Sequence, residues 1–469
     1  MSGLYTKLVA AAVFPAQETL KGHTTVAVRK QLEQSQWWAA QRLQDWQDRR
    51  VRELVSHASL HVPYFRDVFG AITGGAAAIR SAADLAQLPF LTKSIIRTEG
   101  DRMKSAQARH LAPFNTGGSS GEPLKFWISR ERVSHDVAAK WRATRWWGVD
   151  IGDRELVVWG SPIELGAHDR IRRLRDALMR TRLLPAFDMS ESKIRDWFAQ
   201  MRAWLPRMLF GYPSALSLIA TQAEKDGVRL DDLGIRVVFV TSERLYDHQR
   251  AIISRVFGCP VANGYGGRDA GFIAHECPAG GMHITAEDIV VEIIDEAGQP
   301  TAPGIAGEIV VTHLATAGYP FIRYRTGDVG ALSGTMCSCG RTLPLLERIE
   351  GRSTDFVVKT DGTLMHGLGL IYVIRDLPGV AGFKIIQHSS LHTHVLLVPE
   401  GKHDPAINGT IIAGFKQRLG ADAEITIESV ASIPAEKSGK FGYIVSHARN
   451  DPVQSALNQN APNQSRPIQ

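Results

Sequence analysis

Between Leu156 and Thr312 the chain switches repeatedly between two hydrophobic periods, and this restricts the fold more than any other feature. Short β-branched or aromatic runs occur at Leu156–Trp159, Val237–Val240, Val290–Ile294 and Ile309–Thr312. Helical patterns separate them, most clearly at Ser190–Trp204, Pro213–Asp226 and Asp247–Phe257. Pro213 suits a first helical turn, where its missing N–H costs nothing. Strand-length runs alternating with amphipathic helices predict an α/β fold with substantial parallel sheet. Upstream, Ala39, Leu43, Trp46, Val51, Leu54 and Ala58 recur at roughly helical spacing. They predict an amphipathic helix over Trp37–Ala58 that Pro63 brings to an end.

A chain of 469 residues exceeds one ordinary core. The natural boundary lies near Gly351. Residues 1–351 form the expected large N-terminal α/β domain. Residues 352–449, with runs at Phe356–Lys359, Tyr372–Leu377 and Val395–Val398, form a small α+β domain. The last stretch, 450–469, is rich in Asn, Gln, Pro and Ser and is expected to be a disordered tail. The net charge of +6 is mild for this length; it tolerates anionic metabolites and makes no case for nucleic acid. Only four cysteines are present, which speaks for a reduced, cytoplasmic setting over a disulfide scaffold. No apolar run reaches membrane-spanning length, and the run Leu8–Phe14 meets Pro15 without a convincing cleavage site.

Four segments carry the candidate chemistry. In the first, Thr116-Gly117-Gly118-Ser119-Ser120-Gly121, glycines interleave with hydroxyls and can turn N–H and O–H groups toward phosphate oxygens. The same composition also makes an ordinary hairpin turn. It is not a Walker loop, since no Gly-Lys-Ser/Thr follows and Leu124–Ile128 reads as a strand. The second, Asn263–Gly271, follows a strand at Pro260–Ala262 and offers Tyr265 as a stacking ring and Asp269 as a hard oxygen for Mg²⁺. The third is Arg323-Tyr-Arg-Thr-Gly-Asp328, whose carboxylate can accept ribose hydroxyls. The fourth, Ser438-Gly-Lys440, places a cation in a Gly-containing loop.

In this order the segments resemble the adenylate-forming superfamily, in its branch of phenylacetate–coenzyme A ligases and capsule-biosynthesis relatives. The resemblance runs from about Trp37 to about Tyr443. It implies a phosphate loop at Thr116–Pro123 and an adenine-side segment at Thr241-Ser242-Glu243-Arg244. It implies further nucleotide contacts from Tyr265, Gly266, Arg268, Asp328 and Arg352, a hinge at Gly351–Asp355, and a catalytic lysine at Lys440. Three departures stand out: Glu122 where many members have Lys, Arg268 where Ser or Thr is usual, and Asp269 for the metal-binding Glu. The implied reaction uses ATP and Mg²⁺ to join a carboxylic acid to AMP, and then passes the acyl group to coenzyme A. Two other outcomes stay open: acyl transfer to an acceptor in polysaccharide assembly, and a catalytically weak nucleotide-binding subunit. The acid's pocket is expected to draw on Phe210–Ser214 and on the surroundings of Tyr265.

The cysteines suggest a separate site. Cys337 and Cys339 lie 60 and 62 residues beyond Cys277, and His283 lies close to Cys277 in sequence. Three thiolates and one imidazole suit a closed tetrahedral Zn²⁺ site, with His275 as a competing ligand. Zinc-containing relatives in the branch point the same way. Buried free thiols are the alternative, as expected for Cys259. The basic run Arg170–Arg175, with Arg180 and Arg182, reads as a solvated helix face before it reads as a binder of coenzyme A phosphates. Trp37, Trp38, Trp146 and Trp147 read as packing residues.

Overall fold

The structure is a computed structural model. It describes residues 3–116, 124–159, 175–186, 189–352, 356–362, 364–366, 368–375, 377–401, 405–433 and 443–448. The chain divides after Gly351 into two compact units.

The larger unit begins with helical turns over Leu4–Leu20. The apolar run noted there is used for docking: Val9 is fully buried, and a Cβ on Gly152 would lie 2.6 Å from its own Cβ. The hairpin β1 (Ala112–Asn115) and β2 (Lys125–Ile128) stands apart from the main sheet. The main sheet then opens with β3 (Glu155–Trp159), β4 (Thr181–Pro185), β5 (Met208–Gly211), β6 (Val237–Thr241) and β7 (Val261–Gly267). These five are parallel, in the order β4-β3-β5-β6-β7. Every residue of β5 and β6 is buried, because helices cover both faces. Helices Glu191–Trp204, Pro213–Lys225 and Asp247–Phe257 pack on the face carrying Leu209, Val238 and Val240. The opposite face, carrying Phe210 and Phe239, packs against Ala143 of helix Arg130–Trp146.

The rest of the sheet changes character. It continues through β8 (Gly271–Glu276), β9 (Met282–Ile284), β10 (Ile289–Ile294), β11 (Gly307–His313), β12 (Phe321–Leu332) and β13 (Leu345–Arg352). The full order is β10-β11-β12-β13-β9-β8-β7-β6-β5-β3-β4. The pairings of β7 with β8, β8 with β9, β9 with β13, and β10 through β12 are antiparallel. The alternating pattern thus predicts parallel sheet correctly only as far as β7. The runs at Val290–Ile294 and Ile309–Thr312 are joined without an intervening helix and pair antiparallel. The predicted helix near Trp37 runs from Ala40 to His61, and Pro63 opens the next helix at its first turn.

The smaller unit carries the hairpin β14 (Phe356–Val358) and β15 (Leu364–His366), and helices Leu368–Arg375 and Pro405–Leu419. Its four-stranded sheet contains β16 (Val380–Gln387), β17 (His392–Pro399), β18 (Glu424–Ser429) and β19 (Ile444–Ser446), ordered β18-β17-β16-β19. Along β16 and β17 burial alternates residue by residue. One face therefore packs, with Phe383, Ile385, Val395 and Leu397 meeting a core that includes Phe415, and the other face meets solvent. The tail at 450–469 lies outside the described residues.

Candidate active site and sulfur cluster

The segment around Asp269 is a tight hairpin. β7 extends to Gly267 and β8 restarts at Gly271, so the stretch read as following a short strand is itself mostly strand. Its glycines allow this: a Cβ on Gly266 would lie 2.1 Å from the Gly271 carbonyl oxygen. Gly271, with φ +86°, leaves room for His313 and Asp136, which its Cβ would meet at 2.7 and 2.9 Å. Asp269 sits in the turn between the strands. Its carboxylate accepts the Tyr324 hydroxyl at 2.6 Å and the Ala270 N–H at 3.1 Å. An ionised carboxylate has about four lone-pair positions, so two hydrogen bonds leave capacity for a cation.

Asp328 is held in the same manner. It lies on β12, where its carboxylate accepts the Tyr265 hydroxyl at 2.9 Å. Burial, and then the charge of Asp328, hold the Tyr265 phenol far above its ordinary pKa, so it stays a donor. Two aspartates from segments far apart in sequence are thus each tied to a tyrosine from the other segment. The sequence motifs contain both tyrosines, but their crossed pairing is a product of sheet order.

Behind the hairpin lies a group that sequence reading misses. The buried Arg132 donates to the carbonyls of Asp269 and Arg268 at 3.1 and 3.4 Å. Its Nε donates to Asp136 at 2.9 Å. Asp136 also faces His313 Nε2 at 3.4 Å, while His313 Nδ1 accepts the Ala315 N–H. The proton of a neutral His313 therefore sits on Nε2, aimed at Asp136. Burial, with Arg132 nearby, lowers the His313 pKa to about 4. Burial opposes ionisation of Asp136, but Arg132 and His313 outweigh it and hold that carboxyl well below its usual range. The only sequence signal was the i,i+4 spacing of Arg132 and Asp136, which is common on exposed helix faces.

The adenine-side segment lies at the end of β6. Ser242 has φ +71°, a strained left-handed conformation of the kind stored at ligand sites. Glu243 accepts the Ser214 N–H at 3.2 Å, at the first turn of helix Pro213–Lys225. Arg244 donates to the Glu350 carbonyl. Nearby, Trp159 stacks on Tyr212 at 4.3 Å and meets Phe210 at 5.8 Å, giving the expected aromatic surroundings of Phe210–Ser214. Arg268 donates to the Asn115 carbonyl at 3.4 Å, tying the Asp269 turn to β1.

At the phosphate loop, Thr116 is bonded to Leu124 through both its backbone N–H and its hydroxyl, closing the β1–β2 hairpin. Gly117, Gly118, Ser119, Ser120, Gly121 and Glu122 lie outside the described residues, as do Lys440 and residues 353–355 of the hinge. Arg352 ends β13.

The sulfur cluster is assembled from Cys277 just beyond β8, His283 within β9, and Cys337 and Cys339 in the connection between β12 and β13. The donor atoms of Cys277, His283, Cys337 and Cys339 all lie within 4.8 Å of one another. Cys277 Sγ and Cys337 Sγ are 3.6 Å apart, and His283 Nε2 is 3.2 Å from Cys339 Sγ. His283 Nδ1 faces the Leu343 carbonyl at 3.4 Å, which points the Nε2 lone pair at the sulfurs. A Cβ on Gly281 would strike Cys337 Sγ at 2.5 Å, so glycine is needed there for closure. This donor set and spacing fit a tetrahedral soft cation. His275, the competing ligand, lies outside the group and stacks on Phe272 at 5.3 Å. Cys259 is separate and buried, and its burial raises its thiol to about 12.

Comparison with known proteins agrees with this architecture. The chain is 18% identical to 2-hydroxyisobutyryl-CoA ligase captured in the postadenylation state with an acyl-AMP. The match covers 90% of this chain and 93% of that one, with a TM-score of 0.70. The fold is that of the adenylate-forming ligases. By sequence the chain is 23% identical to protein CapK of Staphylococcus aureus, over 79% of this chain and 82% of the relative. It is 26% identical to phenylacetate–coenzyme A ligase of Escherichia coli, over 67% and 72%. The corresponding ligase of Thermus thermophilus is 24% identical, over 68% and 72%. Residues 357–447 match the family model of the CapK C-terminal domain. The relatives found by sequence belong to the branch that the motifs resemble.

Proposed function

We propose that this protein activates a carboxylic acid with ATP as an acyl-adenylate and then transfers the acyl group to coenzyme A. The observation that carries the reading is the crossed pairing of Asp269 with Tyr324 and Asp328 with Tyr265. It fixes two carboxylates on one patch, one suited to a divalent cation and the other to ribose hydroxyls. Mg²⁺ bound through Asp269 would offset the charge that develops at the α-phosphate. Asp328 accepts hydrogen bonds from the ribose, and strained Ser242 with Glu243 borders the adenine. Arg268, at the edge of the same turn, supplies the cation that Glu122 does not. The solved 2-hydroxyisobutyryl-CoA ligase with both acyl-AMP and coenzyme A supports the second step; it has a TM-score of 0.59 to this chain.

By resemblance, Lys440 approaches the α-phosphate in the first step only. Lys440→Ala should then abolish adenylate formation and spare thioester formation from a supplied acyl-adenylate. Acid-dependent exchange of labelled pyrophosphate into ATP, across aromatic, aliphatic and hydroxy acids, tests the reading directly. Tight ATP binding with no exchange for any acid would point to a nucleotide-binding subunit instead. A second reading passes the acyl group to an acceptor in polysaccharide assembly, other than coenzyme A. Acyl-adenylate that forms but is not consumed by coenzyme A would support it.

We further infer that Cys277, His283, Cys337 and Cys339 hold a structural Zn²⁺. Four protein donors close the site and leave no open position for catalysis. Such reduced thiols fit a cytoplasmic protein. No helix among the described residues is long and apolar enough to cross a membrane.

A further inference from the structure

The smaller unit carries an unassigned histidine row on the solvent face of its sheet. Gln387 of β16 pairs with Thr393 of β17 on one side and with Ser446 of β19 on the other. Gln387 and Thr393 point into the core. The next residues along these strands are His388, His392 and His447, so they form the following row and alternate to the outer face. Backbone bonds confirm the register: the His388 N–H donates to the His392 carbonyl at 2.9 Å, and the His447 N–H to the Gln387 carbonyl at 2.7 Å. His394, two residues along β17, shares that face.

The rings converge on His388. Its ring centre lies 5.3 Å from that of His392, 6.2 Å from His394 and 6.2 Å from His447. With metal–nitrogen bonds of about 2 Å, an ion lies about 3 Å from each ring centre, so two ligating rings have centres about 5–6 Å apart. The observed spacings fall in that range or at its edge. The outer nitrogens on β17 have partners of the right kind. His394 Nε2 faces Glu428 at 3.3 Å, and His392 Nε2 faces the Thr426 hydroxyl at 3.3 Å. Metal-bound histidines place their second ring nitrogen on such carboxylate and hydroxyl groups, which leaves Nδ1 to bind. Glu424 pairs with His392 across β18 and adds a carboxylate to the end of the row.

We propose that His388, His392 and His447, with His394 as the alternative third ligand, bind a divalent transition metal on the face of the smaller unit. Imidazole-rich sites of this kind suit Ni²⁺, Cu²⁺ and Zn²⁺. Among the described residues, only the sulfur cluster already gathers its donor atoms within 4.8 Å. Capture at the histidine row therefore turns the exposed rings of His388 and His447. The ion links β16, β17 and β19 where the sheet ends, and it is independent of the adenylation chemistry.

The test uses untagged full-length protein preloaded with one equivalent of Zn²⁺, titrated calorimetrically with Ni²⁺ alone. One further equivalent should bind. His388→Ala and His392→Ala should each weaken that event at least tenfold, and the double variant should abolish it. His110→Ala, outside the row, should change nothing. Cu²⁺ bound at the site should show nitrogen hyperfine structure in its electron paramagnetic resonance spectrum, which the double variant lacks. No Ni²⁺ uptake beyond the zinc, or uptake that persists in the double variant, overturns the proposal. Position 388 is exposed, so its substitution leaves the fold intact.

Discussion

The antiparallel half of the main sheet builds two ligand sets from overlapping strands, and they are finished in opposite ways. At one set, Asp269 and Asp328 each accept a hydrogen bond from a different tyrosine hydroxyl. At the other, thiols face one another: Cys277 and Cys337 stand 3.6 Å apart, and burial pushes the Cys277 thiol up to about 12. Burial also acts on Cys339, but the Arg341 N–H groups outweigh it and lower that thiol. Each carboxylate is thus supported within the protein by a hydrogen bond of its own. The sulfur set gathers four donors of the kind that bind a soft cation. On the proposed assignment, a site that turns over keeps its charges separately supported, while a structural metal site can concentrate its donors because one ion satisfies all of them.

That contrast predicts opposite phenotypes. The largest effect is expected from Asp269→Ala, which should lower pyrophosphate exchange by about 10²–10³-fold if Asp269 holds the cation at the developing charge. Its melting temperature should stay close to that of the parent. Cys337→Ser should show the reverse pattern, with zinc content falling from about one equivalent to none and the melting temperature falling with it. If Asp269→Ala unfolds the protein, or Cys337→Ser spares both metal and stability, the division of labour between the two sets is wrong.

Next in size, Asp328→Ala should cost about 1.5–3 kcal/mol in affinity for ATP and AMP alike, since both carry the ribose. Unchanged affinity for both in a folded variant would remove Asp328 from the site. Tyr324→Phe sharpens the comparison. It deletes one hydrogen bond to a charged acceptor, worth about 1.5–3 kcal/mol, or roughly 10–100-fold if it is fully felt in the transition state. The loss should appear in the turnover of exchange and in the Mg²⁺ concentration required, with zinc content untouched.

The smallest effect concerns pH. His135 Nδ1 lies 2.7 Å from Asp288, with Arg50 at 3.6 Å from the same oxygen. Burial alone would raise the Asp288 carboxyl, but His135 and Arg50 bring it down to about 2. Burial lowers and Asp288 raises the His135 imidazole, and the net shift is upward. The depressed aspartate contributes stability above its unfolded pKa of about 3.9 and loses it as pH falls through about 2. The raised histidine contributes below about 6.5 and loses it as pH rises through its folded value. Melting temperature should therefore decline on the alkaline side, and His135→Asn should flatten that decline without affecting zinc. An unchanged alkaline slope in the variant would assign it to other groups.

Much of this was legible in the chain. The segments at Tyr265–Gly271 and Tyr324–Asp328 were recognisable because close backbone approach demands glycine, and glycine spacing is visible in one dimension. The membership of the sulfur cluster was legible because cysteine and histidine are scarce ligands. Arg132, Asp136 and His313 were not legible, because Arg and Asp four apart on a helix usually meet water. Burial is what makes them a support for Asp269, and no local pattern reports it. The antiparallel half of the sheet was missed for a related reason: a β-branched run has the same period whichever way its neighbour runs.

By itself, then, the sequence determined the elements and the residue types gathered at the candidate sites, since hydrophobic period, turn glycines and ligand types are local properties. Tertiary structure alone decided which tyrosine serves which aspartate, which of His275 and His283 joins the sulfurs, and that His388, His392 and His447 stand in one row. Each of these depends on strand order and register. A shift of one residue in register would send every side chain of a strand to the opposite face.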